Sequence, residues 1–193
     1  PELLPANFQI VHHEGPDRRG VDPALLYRAD QFKLIDSESI PFSFEGTKVH
    51  VTLDKQQQEY FRTRDILMVH GLIAEEHFAF YVAHLPSRIG GKGDDLRSIG
   101  GEIIRKHSEI MSAKYPGIKI VVMGDMNDDP QDVSMSKWLG AVRKVEDTPE
   151  GGFFNPFWDM LSDGYGSLAY RDVWSLFDQV IASETLVNAP EGT

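Results

Sequence analysis

Two apolar runs, ILMVHGLI at Ile66–Ile73 and HFAFYVAH at residues 77–84, are separated only by Ala74, Glu75 and Glu76. Each is too short for a typical helix, and the break between them is a hairpin signal. Neither run alternates cleanly, so both read as strands buried on two faces. Such strands need a layer on each side of the sheet. Further strands are expected at residues 8–11 (FQIV), 24–27 (ALLY), 32–37 and 118–123, at the end of 174–182, and as a weak edge strand at 48–53.

Between Asp94 and Lys114 the period changes. Leu96, Ile99, Ile103, Ile104, His107, Ile110 and Met111 recur at helical spacing, with Asp94 as the expected N-cap and Pro116-Gly117 as the stop. A second helix is expected over residues 132–142, and a short helix or irregular aromatic segment over 153–161. Strands dominate, with helices laid between them and no repeats or linker. The expected class is α/β (α+β), a layered sandwich of sheets covered by helices. At 193 residues and 41% hydrophobic content, residues 1–193 read as a single domain.

The chain has no cysteine, which excludes disulfides and thiolate metal sites. Any metal must be held by oxygen or imidazole. That favours Mg²⁺ or Mn²⁺, with Ca²⁺ as a further candidate, over structural zinc. A net charge of −11 argues against a non-specific DNA binder working through its general field, though a local basic groove or a bound metal would supply positive charge. No apolar run approaches the length of a membrane span. No signal peptide is visible, and the sequence starts at Pro1 rather than at an initiator Met.

The segment 119–130, KIVVMGDMNDDP, runs from an apolar strand into a cluster of oxygen ligands. Asp125 and Asn127 flank Met126, and in extended geometry their side chains point to one side. They suit a hard cation or a phosphate-bound water, with Asp128 and Asp129 available to extend the site; a strand-to-turn junction explains them equally well. His84 also ends an apolar strand, and PSR follows it. It is expected as an acid, base or phosphate ligand, with Ser87 in the turn and Arg88 placed to clamp phosphate, or else as a capping residue. His70 and His107 read as structural or surface residues. Asp178, in LFDQVIA, stands at the start of a buried strand. A carboxylate there is either paired structurally or orients a catalytic group, and the second is preferred. Arg18 and Arg19 lie at a turn, as phosphate contacts or as solvated side chains. The order of strand-end His, strand-end Gly-Asp-x-Asn and strand-start Asp would gather these groups at one sheet edge, as metal-assisted hydrolysis requires.

The pieces RRGVDPALLYR, YVAHLPSR, VVMGDMNDDP followed by SMSKWL, and WSLFDQVIAS together resemble the endonuclease/exonuclease/phosphatase superfamily over most of the chain. NPF, then GSLAYRDVW, resembles a subgroup of bacterial, often exported members. The resemblance implies a four-layered α/β/β/α sandwich of two mixed β-sheets with outer helices. It also implies Mg²⁺- or Mn²⁺-dependent hydrolysis of a phosphoester. By position, Asp125 and Asn127 would sit at metal and phosphate, His84 would contact the scissile phosphate, and Asp178 would orient the family's catalytic His. Arg19, Ser87 and Arg88 would touch phosphate. The family pattern also carries a Gln-Glu motif before this region and a Ser-Asp-His motif after it. Neither occurs between Pro1 and Thr193, so the expectation is a domain lacking its first strand and helix and its last strand, impaired on its own. Substrates in view are a nucleic acid, a sugar phosphate or a lipid headgroup, taken by a monomer. The rivals are a non-catalytic binding protein on the same sandwich and a Ca²⁺-stabilised domain. The second is disfavoured because the cluster lacks EF-hand spacing.

Overall fold

The structure, a computed structural model, describes residues 7–89 and 93–189. In chain order the elements are β1 (Phe8–His12), β2 (Ala24–Arg28), β3 (Lys33–Ile40), α1 (Lys55–Tyr60), β4 (Ile66–Ile73), β5 (Glu76–His84), α2 (Asp94–Lys114) and β6 (Lys119–Asp125). They continue with β7 (Ala141–Val142), β8 (Phe153–Phe154), α3 (Phe157–Ser162), β9 (Leu168–Tyr170), β10 (Val173–Ser175), β11 (Asp178–Ser183) and α4 (Glu184–Val187).

Seven strands form one mixed sheet in the order β3-β4-β5-β6-β11-β8-β7, while β1–β2 and β9–β10 form two-stranded antiparallel sheets. The hairpin inferred from the two apolar runs is β4–β5, and Ala74 and Glu75 both take positive φ in its turn. The β5–β6 pair is parallel, with α2 as its crossover. This is a mixed α+β fold, and both faces of the large sheet are covered. Ile66, Met68, Ala79, Tyr81 and Ala83 face a core shared with Ile104 and Met111 of α2. The alternate residues Leu67, Val69, Phe78, Phe80 and Val82 pack with Val11 and Leu25 of β1–β2 and with Phe32. Period-2 alternation between two apolar layers explains why these strands read as continuous hydrophobic runs.

Three local expectations are corrected. Residues 48–53 do not form a strand, because carboxylates of α2 take their backbone donors. Lys48 N donates to Glu102 Oε1 at 3.0 Å and Thr52 N to Asp95 Oδ2 at 2.7 Å. The N-cap of α2 is Gly93, at φ 95°, and Asp94 lies in the first turn. The helix expected over 132–142 is one π-helical turn, residues Ser134–Leu139, because Gly140 turns left-handed and Ala141 and Val142 pair with β8. That turn sits directly on α2. A Cβ at Gly101 would lie 2.4 Å from the Ser134 carbonyl oxygen, so only glycine allows the approach. The segment 153–161 divides into β8 and α3.

Candidate active site

The strand register assembles the row that the sequence order suggested. His84 is paired with Asp125 across β5–β6, and Asp125 with Asp178 across β6–β11. Directly opposed side chains on adjacent strands share a face, with Cβ atoms about 4.5–5.5 Å apart. The ladders run on past the strand ends, since Leu85 N donates to Asp125 O at 3.0 Å and Met126 N to Phe177 O at 2.8 Å. Met126 is fully buried beneath the row. The three polar groups therefore stand on a rigid sheet edge rather than on a free loop.

His84 Nε2 lies 3.5 Å from Asp125 Oδ2, and both side chains are about one-third exposed. Partial burial, then the charge of Arg64, holds His84 below the usual histidine range, while Asp125 and Asp178 pull it upward. Asp178 is exposed, contrary to the buried position expected of it; its backbone N donates to Ser167 Oγ at 3.1 Å. Its side chain thus faces solvent at the edge of the row.

Asn127 departs from the extended geometry assumed for it. Its φ is 51°, so the chain leaves the strand after Asp125. Asn127 N donates to Asp125 Oδ1 and its Nδ2 to the Leu85 carbonyl, each at 2.9 Å. Asn127 thereby fixes the Asp125 carboxylate and ties β6 to the end of β5.

Asp128 and Asp129 are a buried hub rather than the ordinary turn residues the sequence suggests. Asp128 Oδ1 accepts from Arg97 Nε at 2.7 Å, and Asp128 Oδ2 accepts from Ser134 Oγ at 2.5 Å. Asp129 Oδ1 accepts from Leu176 N at 2.7 Å. Burial raises the Asp128 pKa, against the hydrogen bond from Ser134 and the charge of Arg97. Arg88 belongs to the same hub. Its Nε donates to the Asn127 carbonyl at 2.7 Å, its Nη2 pairs with Asp128 and Asp132, and its guanidinium covers the Phe177 ring at 4.6 Å. Arg88 thus braces the loop under the row, a different engagement from the phosphate clamp expected of it.

Beside His84 opens a cleft of about 620 Å³ lined by Arg18, Arg19, Arg62, Arg64, Ser87 and Asn127, among others. Arg19 grips Asp17 through Nε at 3.2 Å and Nη2 at 3.0 Å, and this pairing is the first cause holding Asp17 down to about 2. Ser87 Oγ accepts from Ile89 N at 3.2 Å. Arg62 and Arg64 were missed in the sequence. They sit in FRTRD, which reads as a polar loop, and the only available signal was two arginines immediately before a buried strand. His70 and His107 are structural, as expected. His70 Nε2 meets His77 Nδ1 at 2.9 Å, and His107 Nδ1 meets the Tyr81 hydroxyl at 2.8 Å.

Among the described residues, no group of three or more His, Cys, Asp or Glu side chains gathers to hold a metal ion by itself. Mg²⁺ is commonly held by only one or two carboxylates, with water and substrate phosphate completing its shell. The partly exposed carboxylate of Asp125 and the exposed one of Asp178, opposed on adjacent strands, fit that kind of donor set.

The mixed sheet thus presents a histidine and two carboxylates at its strand ends, with the histidine lining an arginine-rich cleft. The chain belongs to the endonuclease/exonuclease/phosphatase family, whose model matches residues 1–193. No curated protein matches it in sequence. Among solved structures it is similar to the human Nocturnin catalytic domain with bound sulfate, at 16% identity and a TM-score of 0.61, covering 92% of this chain and 61% of that one. It is also similar to ANGEL2, described as a 2′,3′-cyclic phosphatase, at 10% identity and a TM-score of 0.66, with 92% and 62% covered. A truncated TDP2 from Caenorhabditis elegans matches at 14% identity and a TM-score of 0.59, with 91% and 61% covered. The chain spans about three fifths of each of these structures.

Proposed function

We propose that this chain carries the catalytic row of a divalent-metal-dependent phosphoesterase that cleaves a phosphodiester or phosphomonoester by in-line attack of water. The observation that carries the reading is the register that places His84, Asp125 and Asp178 side by side at the ends of three adjacent strands, with His84 lining the arginine cleft. Family membership and the described phosphatase among the structural neighbours support it.

Asp125 and Asp178 would hold Mg²⁺ or Mn²⁺, which when bound offsets negative charge on the phosphate oxygens. The remaining work falls to the chain. Asp125, fixed by the Asn127 backbone N–H, accepts a hydrogen bond from the attacking water and orients it. Neutral His84 presents a ring N–H to a non-bridging phosphate oxygen, where charge grows as the water attacks. Asp178 stands exposed at the solvent end of the row, where the leaving oxygen takes its proton from water. Arginines of the cleft hold the phosphate in place while the rigid strand ends fix its angle to the water.

Replacement of Asp125 by alanine is the test. In the full-length protein, with Mg²⁺ and bis-p-nitrophenyl phosphate, D125A is expected to lose at least about a hundredfold in kcat while keeping the wild-type circular dichroism spectrum. Turnover near the wild-type level in D125A would overturn the assignment.

A further inference from the structure

The cleft holds more cationic groups than one phosphate at the row needs. Arg18 and Arg19 enter from the β1–β2 loop, and Arg62 and Arg64 from the segment before β4. These four guanidiniums face a single lining carboxylate, Asp17, already gripped by Arg19. Arg18 and Arg62 have no carboxylate partner among the described residues. Arg62 Nη1 donates instead to the Glu59 and Phe61 carbonyls, each at 2.7 Å, which fixes the side chain without neutralising it.

Arg64 is the most exacting of the four. It is only 8% exposed, and its Nε has no hydrogen-bond partner. Asp17 Oδ2 lies 3.9 Å away, and Nη1 reaches the His84 carbonyl at 3.3 Å. A buried donor left unsatisfied is costly, and more so when it is charged. Arg64 is thus only loosely matched by Asp17, and an anion in the cleft it lines would offset its charge. In a chain of net charge −11, this concentration of positive charge is local.

We infer that the arginine cleft holds a second phosphate group of the substrate, next to the ester that is cleaved. This rests on the phosphoesterase reading and narrows it. Preferred substrates are small molecules or chain ends that carry a further phosphate, not isolated diesters. Fork-shaped guanidiniums recognise a dianionic terminal phosphate through paired N–H donors more strongly than a monoanionic diester.

The cleft is tested first by binding, without turnover. In EDTA and at low ionic strength, inorganic pyrophosphate titrated calorimetrically should bind the intact chain. R18Q and R62Q, both at exposed positions, should each weaken that binding about tenfold. R143Q, which removes the same charge elsewhere, should not. Absence of binding, or equal weakening by R143Q, overturns the inference. The second arm compares, with Mg²⁺, the p-nitrophenyl ester of thymidine 3′-phosphate with and without a 5′-phosphate. A higher kcat/KM for the 5′-phosphorylated ester, lost in R62Q, supports the inference, and equal values overturn it. If neither ester is hydrolysed, the catalytic reading fails and pyrophosphate binding alone decides the cleft.

Discussion

Gly124 holds the row in place from one position upstream. Its φ is 129°, and a Cβ there would lie 2.0 Å from the Ala83 carbonyl oxygen. Both conditions demand glycine: the backbone region is strained for any L side chain, and the neighbour is backbone, which cannot rotate away. We predict that G124A lowers stability by about 2–4 kcal/mol and splays β5 from β6, so that His84 and Asp125 separate. Thermal denaturation and activity should fall together. A variant with an unchanged melting temperature would show that the strand ends are more pliable than this packing implies. At this scale the sequence was informative about Asp125, His84 and Asp178 because each ends or starts an apolar run. It misled about Asn127, whose left-handed backbone breaks the extended geometry that adjacent-residue periodicity assumes.

At the scale of elements, α2 and the loop after β6 are joined by a buried charge pair. Arg97 is 1% exposed, and its Nε donates to Asp128 Oδ1, which Arg88 also contacts. Removing Arg97 leaves the buried Asp128 with only the partly exposed Arg88 as its counter-charge, so the cost falls below the ~3–5 kcal/mol of a fully stranded buried charge, and removing Asp128 as well costs less still. R97M should therefore destabilise the fold, and R97M/D128N should recover much of the loss in urea titration. If the double variant were as unstable as R97M alone, the stranded-charge account would be wrong. The strands and α2 were legible because a period of 2 or 3.6 is a local signal. The Arg97–Asp128 link was not, because the partners are 31 positions apart and each reads locally as a solvated charge. The Arg62–Arg64 wall stayed hidden for the same reason: its neighbours come from the β1–β2 loop and the end of β5. The π-helical turn was read as a longer helix because its six residues share the helical pattern of apolar spacing, while its end is set by pairing of β7 with β8.

At the scale of the whole molecule, the two-sided burial of the large sheet couples stability to pH. His70 lies mid-strand in β4, 1% exposed, stacked on His77 and tilted against the Tyr115 ring. Burial, then the charges of His77 and Lys114, depress its pKa below the ordinary 6.5, with Asp36 opposing. The folded state therefore keeps His70 neutral where the unfolded chain would protonate it. Below about pH 6.5 the unfolded state binds more protons, so stability must rise with pH through that window. The contribution is fully present above the unfolded pKa and is lost as pH falls through the folded one. His84 is depressed in the same direction and adds to the same limb. H70Q removes the larger burial and keeps a polar group within reach of His77, so its stability should decline less than wild type between pH 7.5 and pH 5. Urea unfolding at those two pH values measures the difference directly. Equal declines in both proteins would place the acid sensitivity elsewhere, with His84 as the next residue to replace.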